Sequence, residues 1–246
     1  MKKEFKITKK SSPNKMSRNG WKPDMIVSHI AEGTYDGTIS WLCNPKSQAS
    51  AHFVVSKKGE ITQLVDIREA AWGNGTSTDS KKNNHYSKSS LKIVRDRKTN
   101  ANYYTISIEH EGFYNQGKGK LTPEQLEATI WLHKYIIDEV KNIYGIEIPL
   151  DREHIVGHYQ IDPIRKPNCP GSNFQFDEIL KALRGDVIDL ALEKWQEEMG
   201  KKAIKNLSNR KIKGDLIINS PEQWEKTLGE NTPQWLFWSI IDRITK

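Results

Sequence analysis

The tightest constraint on the fold is the segment Met25-Ile26-Val27-Ser28-His29-Ile30, which follows Pro23. Its run of β-branched and apolar residues is that of a buried strand, so the chain must build a sheet around it. Ala51-His52-Phe53-Val54-Val55 and Glu60-Ile61-Thr62-Gln63-Leu64-Val65 flank Lys57-Lys58-Gly59. That is a hairpin signal, with glycine tolerating the positive φ of the turn. Tyr103 to Glu109 forms another strand, which stops near Gly112. Between them, Gly73 to Asn102 is polar and is expected to be mostly exposed loop. Structureless stretches of that length are uncommon in compact domains and often serve as lids or binding loops.

The clearest helix opens at Thr122-Pro123-Glu124-Gln125. Thr122 can cap, Pro123 suits the first helical position, and Gln125 completes a capping box. Leu126, Ile130, Ile137 and Val140, with Trp131 and Tyr135 nearby, form its apolar stripe. A shorter helix over Asp177–Arg184 ends at Gly185, a good C-cap residue. Strands interleaved with helices imply an α/β fold, a mixed central β-sheet flanked by helices. After Gly185 the pattern changes to helices alone: a periodic segment from Asp186 to Lys205, a capping box at Ser220-Pro221-Glu222-Gln223, and Thr232-Pro233-Gln234 opening Trp235 to Ile241. We therefore expect a main domain over 1–185 and a small C-terminal all-helical module over 186–246. The chain's 246 residues are enough for both.

No apolar run approaches the roughly 18–20 residues of a membrane helix, so no membrane insertion is expected. Met1 to Phe5 is basic but Lys6 to Asn19 is polar, which lacks the apolar centre of a signal peptide. The two cysteines, Cys43 and Cys169, are too few for a disulfide framework and are expected reduced, free to bind metal. Residues 1–22 carry Lys2, Lys3, Lys6, Lys9, Lys10, Lys15, Arg18 and Lys22 against Glu4 alone, a basic N-terminal arm. Such an arm favours polyanions, nucleic acid or an anionic cell wall among them, or serves only as a solubilising tail.

His85, His110 and His133 have the setting of surface residues. His29 and His52 interrupt apolar strands, where a lone histidine is more often a hydrogen-bonded core residue than a ligand. The segment Asp151 to Gly171 changes that balance. It sets His158, after Gly157, eleven residues before Cys169, which Pro170-Gly171 follows. A neutral imidazole and a thiolate are strong zinc ligands, and the intervening Pro-rich loop can bring them together. With His29 they would make a His₂Cys set with the fourth position open. The rival pair, His154 with His158 on one helical face, suffers from the strand-like Ile155-Val156-Gly157 and from the absence of an intervening glutamate.

Five motifs in order carry a family resemblance across roughly residues 20–180. They are Ile26-Val27-Ser28-His29; Ser50-Ala51-His52-Phe53-Val54-Val55 with Gly59-Glu60-Ile61; Ala71-Trp72-Gly73-Asn74-Gly75; Ser107-Ile108-Glu109-His110-Glu111-Gly112; and Gly157-His158 through Cys169-Pro170-Gly171. Together they resemble the type 2 N-acetylmuramoyl-L-alanine amidases, the zinc family that includes the peptidoglycan recognition proteins. The resemblance implies that His29, His158 and Cys169 bind Zn2+ and that Glu109 activates water and protonates the leaving amine. It implies hydrolysis of the amide between N-acetylmuramic acid and L-alanine in bacterial peptidoglycan. The alternative is a non-catalytic peptidoglycan-binding protein on the same fold.

Three positions depart from the family pattern. Ala51 stands where some members have tyrosine, Gly73 replaces the histidine of Ala-Trp-His-Ala-Gly, and Pro167 takes the place of the oxyanion-stabilising lysine. Lys166, one residue further back, is the candidate for that role. Trp195, Trp224, Trp235 and Trp238 in the C-terminal module pack its core or, where exposed, stack on sugars, as in the wall-targeting tails of phage and prophage amidases. The expected partners are peptidoglycan and anionic cell-wall polymers, and no nucleic acid is expected. A lysin of this kind waits in the cytoplasm until a pore releases it to the wall.

Overall fold

The computed structural model describes residues 5–76, 84–185, 194–209, 211–212, 215–216 and 220–226. The chain divides into two compact units, Met1–Asp186 and Val187–Lys246.

The first unit is built on a mixed sheet of β1 (Ile7–Lys9), β3 (Met25–Ile30), β4 (Phe53–Val55), β5 (Ile61–Gln63), β7 (Thr105–His110) and β8 (Ile155–Gly157), in the spatial order β1-β5-β4-β7-β3-β8. Strands β4, β7, β3 and β8 run parallel, while β5 is antiparallel to β4 across the hairpin at Gly59, whose φ is +83°. A separate ribbon pairs β2 (Lys15–Ser17) with β6 (Glu69–Ala71). Alternation along the strands sends Ile26, Ile106 and Ile108 to one face, where α3 (Pro123–Tyr144) covers them. The other face carries Val27 and Val156 beneath α2 (Lys92–Arg97) and α4 (His158–Ile161). It also carries Val54 beneath α1 (Tyr35–Leu42). Each fully buried Leu or Ile contributes roughly 1.5–3 kcal/mol by leaving water.

The structure corrects several expectations. The N-terminal segment is no free arm: Ile7–Lys9 forms the sheet's edge strand, and Ser12, Asn14 and Arg18 are buried. Arg18 satisfies its charge on backbone carbonyls, with Nε donating to Ile67 O at 2.8 Å and Nη1 to Tyr103 O at 2.9 Å. The stretch from Gly73 to Asn102 is largely structured where it is described. It holds α2 and 3₁₀ turns at His85–Lys88 and Ala101–Tyr104, and it buries Asn74, Thr76 and Val94. Its polar residues stay inside by bonding one another, as where Asn74 N–H donates to Asn102 Oδ1 at 2.7 Å.

In α3, Thr122 caps the helix by accepting from Gln125 N–H. Gln125 does not return that bond. Its Nε2 donates into the sheet, to Val55 O and Glu111 O, both at 3.1 Å. The buried face runs through Leu126, Thr129, Leu132, His133, Ile136 and Val140, leaving Ile130 and Ile137 only partly covered. The polar members fit because Thr129 donates back to Gln125 O and His133 bonds Thr129 O. Helix α5 (Phe176–Arg184) ends at Gly185 in the left-handed region, as expected.

The second unit holds α6 (Lys194–Ser208) and α7 (Pro221–Lys226). It is not all-helical, because Lys211–Ile212 (β9) and Asp215–Leu216 (β10) pair antiparallel. The helix expected to begin at Asp186 is described only from Lys194, and the Thr232–Ile241 segment lies outside the described residues. Among the described residues no helix is long and apolar enough to cross a membrane.

Candidate metal centre

Parallel strands end on a common edge, and the C-terminal ends of such strands are where open α/β sheets place their sites. His29, the penultimate residue of β3, stands directly opposite Glu109 on β7 in the strand register. Ser28 stands opposite Gly157, the last residue of β8, so His158 enters from the neighbouring strand at the same level. The ring centroids of His29 and His158 are 4.4 Å apart.

Cys169 arrives from a loop held at close quarters. Tyr159 N–H donates to Cys169 O at 2.8 Å and Cys169 N–H to Lys166 O at 3.2 Å. A Cβ on Gly157 would lie 2.7 Å from Pro170 Cδ, and one on Gly171, whose φ is +131°, would lie 2.1 Å from Lys118 O. Only glycines let the loop pack this tightly against β8 and the 118–119 turn. One nitrogen or sulfur atom from each of His29, His158 and Cys169 then lies within 4.8 Å of the others.

Burial governs the electrostatics. It drives His29 down to about 3, with the Lys166 charge acting the same way and the Asn74 amide opposing. His158 is held well below its ordinary value by burial, then by the neighbouring His29 ring, Lys166 and Arg165. Both imidazoles are therefore neutral, with lone pairs to offer. Burial and Glu109 push the Cys169 thiol up to about 12, partly offset by the Ile30 amide and Lys166. Burial raises Glu109 to about 7, against the pull of Lys166. Its Oε1 lies 3.8 Å from His29 Nδ1. Glu109 Oε2 and His29 Nε2 are buried without a hydrogen-bond partner in the protein.

Two neutral imidazoles and a thiol brought within 4.8 Å of one another suit a cation of borderline softness. The donor set fits zinc, and the three residues line a cleft of about 670 Å³. That cleft lies between α1, which presents Trp41, the 72–75 segment, and the Asp162–Lys166 loop. Lys166 is exposed on its wall. Arg165 ties the same loop across the cleft, bonding buried Asp162 through Nε and Gly75 O through Nη2.

All five singled-out residues, His29, Glu109, His158, Lys166 and Cys169, line this cleft. The discounted histidines are not ligands, but they are not surface residues either. His110 and His133 are fully buried, and His85 Nδ1 lies 3.4 Å from Asp162. His154 bonds Asp151 at 2.7 Å, outside the cluster. Both cysteines are free thiols, as expected. Asn74, Asp162 and Arg165 were not singled out in the sequence. Asp162 and Arg165 carry the spacing of a local turn, and nothing in the sequence shows that it closes over Gly75.

Residues 19–172 match the family described as N-acetylmuramoyl-L-alanine amidase. The chain belongs to that family. Among its relatives, N-acetylmuramoyl-L-alanine amidase A of Achromobacter lyticus is 36% identical over 88 residues, which cover 35% of this chain and 36% of the relative. The 1,6-anhydro-N-acetylmuramyl-L-alanine amidase AmpD of Haemophilus influenzae is 26% identical over 138 residues, 56% of this chain and 60% of that protein. The chain thus spans less than two thirds of either relative. A selenomethionine AmpD derivative of known structure is 23% identical, with a TM-score of 0.48 over 72% of this chain and 93% of that one.

Family membership makes the departure at Gly73 informative. A Cβ there would meet Ser107 Oγ at 2.7 Å and Ser50 O at 2.9 Å, so this amidase-family chain has no room for the histidine of the family pattern. Ala51 is fully buried, packed with Ile39 and Leu42 of α1 and with Val54 and Leu64.

Proposed function

We propose that the protein is a zinc-dependent N-acetylmuramoyl-L-alanine amidase that hydrolyses the amide joining the lactyl group of N-acetylmuramic acid to L-alanine in peptidoglycan. The observation that carries this reading is the His29–His158–Cys169 cluster with Glu109 beside it on the neighbouring strand. These three residues would hold the metal. Zinc, when bound, supplies Lewis-acid polarisation of the carbonyl and acidifies water.

The chain's own groups do the rest. Glu109 takes a proton from the attacking water at Oε2, the carboxylate oxygen without a protein partner, and delivers it to the departing α-amine as the C–N bond breaks. The Lys166 ammonium, whose field reaches His29, His158, Glu109 and Cys169, offsets charge developing on the carbonyl oxygen. Glu109 and the complete donor set argue for catalysis over mere binding. Residues 186–246 are assigned to delivery at the wall, with peptidoglycan and anionic wall polymers as partners of the whole chain.

Digestion of purified peptidoglycan followed by mass spectrometry tests the activity. New L-alanine N-termini without new reducing sugar ends are expected. Undigested wall bound by a zinc-loaded protein would establish the binding-only alternative and sink the amidase.

A further inference from the structure

Asn74 is fully buried, and its side-chain nitrogen is committed while its side-chain oxygen is not. Its backbone N–H donates to Asn102 Oδ1 at 2.7 Å. Its side-chain Nδ2 donates to Ser107 Oγ at 2.8 Å and Thr105 Oγ1 at 2.9 Å. Those bonds fix the amide plane against β7, two residues before Glu109 and beside β3. Of the side chain, Oδ1 is left, buried and without a hydrogen-bond partner. The same is true of one nitrogen of His29, Nε2. A stranded acceptor and a stranded donor in one buried site are costly separately and cheap together. Val27 pairs with Ser107 and His29 with Glu109 in the strand register, so an amide held on Ser107 lies one step along the same face from the His29 ring.

We propose that Asn74 is a positioning residue for the metal centre: its Oδ1 accepts from His29 Nε2–H and fixes the tautomer whose free lone pair is on Nδ1. Nδ1 is the nitrogen on the cleft side, 3.8 Å from Glu109. A neutral histidine carries one ring proton, so holding it on Nε2 leaves Nδ1 for a cation. An acceptor behind a ligating imidazole also orients the ring and raises its basicity. Gly73 belongs to the same arrangement. Its missing side chain lets the 73–75 segment approach Ser107 closely enough for Asn74 to bond it. Gly73 and Asn74 therefore act together: the first gives the close approach, and the second uses it.

The inference rests on the zinc reading of the cluster, and two measurements keep their failures apart. In metal-free protein, long-range ¹H–¹⁵N NMR of His29 should show the Nε2–H tautomer, and it should turn to a mixture in Asn74→Leu. An Nδ1–H tautomer in the wild type would overturn the proposal whether or not the protein binds zinc. Zinc affinity is then measured by chelator competition. Asn74→Leu should bind about 10- to 100-fold more weakly, while Asn74→Asp, which keeps the acceptor, should bind at least as tightly as wild type. Unchanged affinity in Asn74→Leu, or an equal loss in both variants, would reduce Asn74 to packing. Failure of the wild type to bind zinc would sink the function, leaving the tautomer result to decide this inference.

Discussion

Two buried histidines, His52 just before β4 and His29 within β3, live in opposite polar environments. His52 is closed. Its Nδ1 accepts from Ser107 N–H at 3.0 Å, and its Nε2 lies 2.9 Å from the Arg18 guanidinium and 3.0 Å from Glu69 O. His29 is open, with Nε2 and the neighbouring Glu109 Oε2 left without strict partners and a cleft beyond them. Both are fully enclosed by protein, and burial lowers the pKa of both. Burial therefore does not separate structure from function here. What separates them is whether the buried polar atoms are answered, because a fold left to itself pairs them.

The largest effect should come from the open side. Cys169→Ala removes the thiolate donor, so zinc content should fall from one per chain to none and peptidoglycan cleavage to background. Cys43→Ala, outside the cluster, should keep both. Metal analysis alongside turnover checks this, and stoichiometric zinc in Cys169→Ala would break the contrast at its root. Glu109→Gln comes next. It keeps shape and accepts hydrogen bonds but cannot shuttle a proton, so kcat should drop by roughly 10²- to 10⁴-fold with zinc retained. Near-normal turnover would move the acid/base role to another group.

The open region was the more legible of the two in the sequence. His29 sits in a run of β-branched residues that can only be a buried strand, and Cys169 precedes a Pro-Gly pair that can only be a tight turn. The closed region was not legible, because Arg18 is buried by carbonyls from residues 67 and 103, and no local pattern announces partners so distant. Ile7–Lys9 hid for a related reason. An edge strand alternates apolar residues with exposed lysines and has the texture of a polar arm. In the 84–104 segment, asparagine caps looked like loop residues, yet Asn100 Oδ1 and Asn102 Oδ1 bond the backbone of residues 76 and 74. The α3 face was misjudged because Thr129 and His133 fill core positions with side chains bonded to their own helix.

On the closed side the expected cost is stability without loss of metal. His52→Leu fills similar space but strands Ser107 N–H and removes a partner of Arg18, at roughly 2–4 kcal/mol. Urea denaturation of the metal-free protein measures it, with zinc stoichiometry as the control. If His52→Leu loses zinc while its fold persists, the two environments are one coupled network and the contrast drawn between them is too sharp.

His133 sharpens the comparison from a third position, at the smallest expected effect. Like His29 it has a buried nitrogen, Nε2, without a protein partner, but it lies within α3 and outside the cleft lining. Its Nδ1–H donates to Thr129 O at 2.8 Å, so any second proton would go on the stranded nitrogen. Burial therefore lowers its pKa from 6.5 to about 4, with the Thr129 bond opposing. The unfolded chain takes up that proton near pH 6.5 and the folded one does not, so the unfolded state binds more protons between these values. The contribution is complete above pH 6.5, drains away as pH falls towards 4, and amounts to on the order of 3 kcal/mol. Replacing His133 with leucine should flatten the pH dependence of unfolding by that amount over this window and leave it unchanged above pH 7. The comparison is made in excess chelator, so that metal release at the cluster is common to both proteins. Parallel curves would mean that the nitrogen is answered in solution, and that an unpartnered buried atom marks function here only where it also borders a cleft.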